Sequence, residues 1–143
     1  MELYTEIIIK ASPEKVWNVL SDFSEYPAWN PFIKSISGEL AEGKNLSVHI
    51  FPPGGNDMKF TPAVLKAEKN KELRWLGKVL FSGLFDGEHI FELKENTDGT
   101  TTFVQREQFK GILVPFFKKM LHTNTKDGFN AMNQALKLKV ENG

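Results

Sequence analysis

The chain has 143 residues, the size of one ordinary domain and enough to bury a sizeable core. Apolar residues make up 41%, with 12 Phe and 3 Trp, which excludes a disordered chain; the lack of Cys excludes disulfides, thiolate catalysis and cysteine zinc sites. The 18 basic residues balance the 18 acidic ones and only Arg74 and Arg106 are Arg, so composition favours neither nucleic acid nor an anionic membrane.

The start, Met1-Glu2-Leu3-Tyr4, carries no basic and apolar leader pattern, and no apolar run is long enough to span a bilayer. The expected location is cytoplasmic, with no integral membrane association. Repeats, linkers and low-complexity tracts are absent, so residues 1–143 read as a single domain.

Glu2 to Lys10 is rich in Ile and predicts a strand. Ser12 is a good N-cap and Pro13 suits a first helical position, so a short helix follows, carrying Val16, Trp17 and Leu20. A second helical turn after Asp22 ends at Asn30-Pro31, because the residue before Pro is pushed out of the α region. Strands are then expected at Ile33–Leu40, Asn45–Phe51, Met58–Glu68, Glu72–Leu80, Leu84–Lys94 and Thr100–Lys110. The intervening breaks are too short for parallel crossovers, so the strands form an antiparallel meander of about seven. From Val114 to Val140 the apolar period changes to three and four, through Phe117, Met120, Leu121, Asn124, Gly128, Met132, Ala135 and Leu136. Lys118, Lys119, His122, Lys126, Asn130, Gln134 and Lys137 take the other side of this long helix. A sheet with one wet face must cover the other, and the helix is the only large apolar stripe available. The fold class is therefore α+β, a curved antiparallel sheet wrapped around the C-terminal helix.

Strand alternation assigns the inner face. Leu73, Trp75, Gly77 and Val79 form one row, with Arg74, Leu76 and Lys78 opposite; His89, Phe91 and Leu93 form the next; Phe103, Gln105, Glu107 and Phe109 the third. Three polar side chains, His89, Gln105 and Glu107, thus fall among aromatic ones. A buried carboxylate needs a donor, and His89 is the nearest. The plain reading is a satisfied pair at the edge of the core; the functional readings are a polar handle that orients a ligand, or an acid/base pair.

His49 and His122 fall on solvated faces, so the three His form no metal cluster, and HExxH spacing is absent. Pro53-Gly54-Gly55-Asn56 joins two strands and opens no helix, so it is a hairpin loop and no phosphate cradle. Ser82 lacks a GxSxG elbow. No residue set asks for a cofactor. In the aromatic segment Asp22–Phe32, either Trp29 and Phe32 cap the open end of the core or Tyr26 and Trp29 form part of a pocket mouth. Phe81-Ser82-Gly83-Leu84-Phe85-Asp86-Gly87 reads as a bulged hairpin or as a loop that closes over a cavity. Lys66 to Glu72 reads as a solvated turn of mixed charge.

The order strand, two short helices, six strands, long helix resembles the helix-grip fold of the START-related, pollen-allergen-like SRPBCC superfamily. The resemblance is carried by Ala11-Ser12-Pro13-Glu14-Lys15-Val16-Trp17, Asp22-Phe23, Tyr26-Pro27-Ala28-Trp29-Asn30-Pro31-Phe32, Leu73-Arg74-Trp75, Gly87-Glu88-His89-Ile90-Phe91-Glu92-Leu93 and Gly128-Phe129-Asn130-Ala131-Met132-Asn133, which are similar to the polyketide cyclase/dehydrase-like branch. It implies a hydrophobic cavity between sheet and helix, in a superfamily whose members bind lipids, polyketides, hormones or quinones, some acting as cyclases or chaperone partners. It supplies no catalytic set that carries over residue by residue, and a fold alone names no function.

The leading expectation is a binding module for a small hydrophobic or amphipathic ligand. Its expected pocket draws on Trp29, Phe32, Trp75, Gly77, Phe85, His89, Phe91, Phe103, Gln105, Glu107 and Phe109, with Phe117, Leu121, Asn124, Gly128 and Met132 from the helix. One alternative is a cyclase or dehydratase with His89 and Glu107 as acid and base; another is a protein-interaction or chaperone-partner module built on exposed aromatic loops.

Overall fold

The computed structural model describes residues 1–143. β1 (Glu2–Ile9) leads into α1 (Pro13–Leu20), where Ser12 Oγ accepts a hydrogen bond from Lys15 N and Pro13 opens the first turn. Val16, Trp17 and Leu20, on one face of α1, are buried. A 3-10 turn (Phe23–Glu25) and α2 (Tyr26–Trp29) follow. Tyr26 is fully buried and its Oη donates to Leu20 O; burial holds the phenol far above its ordinary range, so it remains a donor. Asn30 turns the chain, its Oδ1 accepting from Phe32 N and Ile33 N at 2.9 Å each.

The strands are β2 (Ile33–Ser37), β3 (Ser47–Ile50), β4 (Met58–Phe60), β5 (Ala63–Glu68), β6 (Glu72–Lys78), β7 (Asp86–Glu95) and β8 (Thr101–Lys110). They pair in two antiparallel groups, β1-β8-β7-β6-β5 and β2-β3-β4. The expected strand Met58–Glu68 is divided, its first part pairing with β3 and its second with β6. Pro62 lies at the division and cannot donate to a ladder, so the chain changes sheets there. Backbone bonds from Leu46 N to Pro62 O and from Val64 N to Lys44 O keep the two groups edge to edge. The result is one curved wall with a corner.

The C-terminal segment is helical from Val114 onward but not uniformly so: a 3-10 turn (Val114–Phe117), α3 (Lys118–Met120), a π-helical turn (Leu121–Thr125) and α4 (Lys126–Asn142) run end to end. Leu121, Gly128, Met132 and Leu136 are buried as the periodicity predicts. Phe117 is an exception: it stands half out of the core, because the tight 3-10 turn rotates it off the stripe. The wide π turn also moves Thr125, rather than Asn124, to the buried side. Phe129 and Asn133, left out of the predicted stripe, are buried beside Gly128 and Met132.

The outer face of the larger sheet is wet and ion-paired. Arg74 bonds Glu72 on its own strand and Glu88 on the next, and Arg106 bonds Glu92 and Glu2 on the strands either side of it. The inner face and the helix enclose the 25-residue apolar core.

Candidate functional site

Register builds the site row by row. Val64 faces Trp75, Trp75 faces His89, His89 faces Glu107, and Glu107 faces Leu3, in one line across five strands. The adjacent inward row runs Ala67, Leu73, Phe91, Gln105, Thr5. On the other side lies the row Gly77, Gly87, Phe109. The two glycines leave a trough beside His89 and Glu107. A β-carbon at Gly87 would land on Glu107 Oε2, so the space this carboxylate occupies exists because residue 87 has no side chain.

Between this trough, the smaller sheet and the helix lies a cavity of about 580 Å³. Trp75, Gly77, Gly87, His89, Glu107 and Phe109 form its floor; Phe32, Ile33, Ile50, Met58, Lys59, Phe60 and Thr61 form one wall. Met120, Leu121 and Thr125 face them from the helical segment, and Lys78, Val79, Leu80 and Phe85 stand at the β6–β7 loop. The volume suits a molecule of one to a few rings, and the lining is mainly apolar.

A chain of buried hydrogen bonds runs from the floor into the core. Thr5 Oγ1 donates to Gln105 O at 2.7 Å, so it must accept from Asn133 Nδ2 at 2.9 Å. Asn133 therefore turns its Oδ1 to Gln105 Nε2, 2.8 Å away. Gln105 Nε2 also donates to Phe129 O at 3.3 Å, which leaves Gln105 Oε1 facing His89 Nε2 at 3.0 Å. An amide oxygen only accepts, so Nε2 of His89 carries hydrogen. The variable proton of the ring is then the one on Nδ1, which lies 3.4 Å from Glu107 Oε1. Phe91, Phe129 and Trp75 hold the imidazole in place, with ring centroids 4.5, 4.9 and 5.2 Å from it.

This arrangement is a braced dyad. His89 is only 5% exposed and its orientation is fixed from behind; Glu107, at 16%, is the more exposed of the two cavity-lining side chains. Together they can accept a hydrogen bond from a hydroxyl, donate one to a carbonyl when the shared proton is present, or pass that proton to a bound molecule.

The structure gathers half of the expected pocket residues at the cavity: Phe32, Trp75, Gly77, Phe85, His89, Glu107, Phe109 and Leu121 line it. Phe91, Phe103 and Met132 are fully buried beneath it as packing. Gln105 stands behind His89. Gly128 packs under Phe32, whose ring occupies the place of a β-carbon there. Trp29 packs on Tyr26 at 5.1 Å, Phe117 stacks edge-on to Phe85 at 5.6 Å, and Asn124 lies beside Gly55; none of the three lines the cavity. The wall from the smaller sheet, Ile50, Met58 and Phe60, was not foreseen, and neither were Thr125 and the Thr5–Asn133 brace. His49 pairs with Asp57 at 2.8 Å, His122 is exposed, neither lines the cavity, and no three His, Asp or Glu side chains converge as metal ligands would.

No curated protein matches the sequence. Solved structures do match in shape: the Zhui aromatase/cyclase from Streptomyces sp. R1128 superposes with a TM-score of 0.78 at 14% identity, over 99% of this chain and 93% of that one. TTHA0849 from Thermus thermophilus gives 0.77 at 16%, over 99% and 98%. A START superfamily protein from Mycobacterium smegmatis gives 0.72 at 22%, over 99% and 97%. These likenesses share the fold, a sheet closed on a long C-terminal helix. The family described as polyketide cyclase/dehydrase and lipid transport matches residues 1–141, almost the whole chain, and with it the helix-grip fold and the cavity between sheet and helix acquire their place: this protein belongs to that family of the SRPBCC superfamily.

Proposed function

We propose that the protein binds one small, mostly apolar molecule bearing a hydroxyl or carbonyl, with its body in the cavity and its polar end on Glu107 and His89. The observation that carries this reading is the polar dyad on the floor of a mainly apolar cavity, braced from behind by Gln105, Asn133 and Thr5. A purely structural pair would not need a vacant space in front of it; here the cavity of about 580 Å³ lies against both side chains, with the Glu107 carboxylate seated over Gly87 and the Phe60 ring against Gly77. The family's description, polyketide cyclase/dehydrase and lipid transport, is consistent with such a molecule. Native mass spectrometry of the protein purified from its own source should reveal a co-purifying molecule of this kind. Glu107→Gln should lose most of it while remaining folded. A wild-type protein that stays empty when challenged with hydroxylated aromatic and aliphatic compounds would contradict the reading.

A second reading makes the dyad an acid/base pair of the cyclase or dehydratase type. The fixed tautomer of His89 favours it, because one proton is left to move between Nδ1 and Glu107, at the cavity. The two readings separate at His89→Gln: an enzyme loses turnover and keeps affinity, whereas a carrier shows no turnover before or after the change.

A further inference from the structure

Thirteen large apolar side chains stand exposed on the molecule, and seven of them belong to two short segments, 79–81 and 112–120, so the exposure is concentrated rather than scattered. The two segments lie side by side: Ile112 N donates to Gly83 O at 3.2 Å and Leu113 N to Leu84 O at 3.1 Å, and the Phe85 and Phe117 rings meet edge to face. At their tips Leu80 is 88%, Phe81 61%, Ile112 72% and Phe116 81% exposed. Leu80 adopts φ +65°, a conformation that glycine takes freely and leucine rarely does, and its side chain is the most exposed of the four.

Charge is segregated in the same place. Across 78–86 and 110–119 the charged residues are Lys78, Lys110, Lys118 and Lys119 against Asp86 alone, and Asp86 is engaged in its own loop by Gly83 N at 3.0 Å. All four lysines are exposed, and none is among the ion-paired lysines, which are Lys44, Lys66, Lys71 and Lys137. In a chain of zero formal net charge this is a local cationic collar around apolar tips. The collar also adjoins the cavity mouth, where Lys78, Val79, Leu80 and Met120 line the space within.

We propose that this face docks on an anionic lipid bilayer, with Leu80, Phe81, Ile112 and Phe116 inserted among the headgroups and the four lysines against the lipid phosphates, so that the cavity mouth opens at the membrane surface. Charge complementarity selects this occupant. A second copy of the same face would bring lysine collars against each other, and nearly bare side chains on two loop tips suit insertion between headgroups better than a flat protein surface. The docking surface is separate from the dyad and requires nothing bound in the cavity.

The test is co-sedimentation with large vesicles of phosphatidylcholine alone or with about one-third phosphatidylglycerol, at low and at raised salt. The wild-type protein should bind the anionic vesicles, bind the neutral ones far less, and be released by salt. Lys118→Ala with Lys119→Ala should weaken binding by about 30-fold, since each surface lysine contributes about fivefold. Phe81→Ser with Phe116→Ser should weaken it by about tenfold or more; neither residue lines the cavity, so 2-naphthol binding, where present, should be unchanged. The proposal is overturned if wild-type protein ignores anionic vesicles, if it binds both compositions equally, or if sedimentation shows a dimer that the Phe double variant dissolves.

Discussion

Trp75 has two environments at once. One side packs on His89 and Phe91, with ring centroids 5.2 and 5.3 Å away, and the other borders the cavity. Trp75→Ala should therefore cost about 3 kcal/mol, the lower end for a buried Trp, measured by urea unfolding; a loss below about 1 kcal/mol would mean that little packing is lost. Gly87→Ala gives a second test at this scale. Its methyl group would displace the flexible Glu107 carboxylate without touching the backbone ladder, so the variant should fold normally and bind hydroxylated ligands at least tenfold more weakly. Nuclear magnetic resonance of the Glu107 side chain should report the displacement. Period-two alternation made His89, Gln105 and Glu107 legible as one face, because a strand allows its side chains only two directions. Asn133 was not legible as their partner. A helical stripe is read from apolar residues, so a buried amide within it gives no signal until its hydrogen-bond partners are known.

The helices and strands were read correctly where chain chemistry decides locally. Ser12-Pro13 starts α1, and short Gly- and Asn-containing turns, such as Asn70 at φ +66°, close the hairpins. The division of Met58–Glu68 had a signal in Pro62, but which sheet receives each half depends on pairing with β3 and β6, far away in sequence. The π turn at Leu121–Thr125 had no signal; a single extra residue per turn is invisible in a pattern of three and four. Two tests belong to elements. Gly128→Ala places a methyl group in the Phe32 ring, which packs in the core on Phe129 at 5.6 Å, and should cost about 1–3 kcal/mol through overpacking, measured by thermal unfolding. At the far end of α4, Glu141 accepts from Lys10 N at 2.8 Å and from Lys137, which also donates to Ile8 O. The Lys10 N–H, then the Lys137 hydrogen bond, hold its carboxyl below the ordinary value of 4.5. A carboxyl depressed in the folded state stabilises above its unfolded value, and that contribution is lost as pH falls through the folded value. From about pH 6 to about pH 3, Glu141→Gln should therefore lose less Tm than the wild type does.

At the scale of the molecule, the helix-grip architecture followed from the order of elements, because a half-wet sheet and one long amphipathic helix have few ways to cover each other. The whole-chain charge of zero was a poor guide to surface, since it averages the paired outer sheet with the unpaired lysines near the cavity mouth. No helix is long and apolar enough to cross a membrane, which leaves surface association as a separate question with its own vesicle experiment. The central claim concerns the inside. The most direct measurement is a titration of isotope-labelled protein with 2-naphthol, an apolar bicycle with one hydroxyl, followed by nuclear magnetic resonance. Signals of Gly87, His89, Glu107, Leu121 and Thr125 should shift together with saturation, those of the outer-face Arg74, Glu88 and Arg106 should stay, and Glu107→Gln should weaken the titration about tenfold, the worth of one hydrogen bond. Shifts confined to Leu80, Phe81, Ile112 and Phe116, or an equal affinity in Glu107→Gln, would contradict a ligand seated on the dyad.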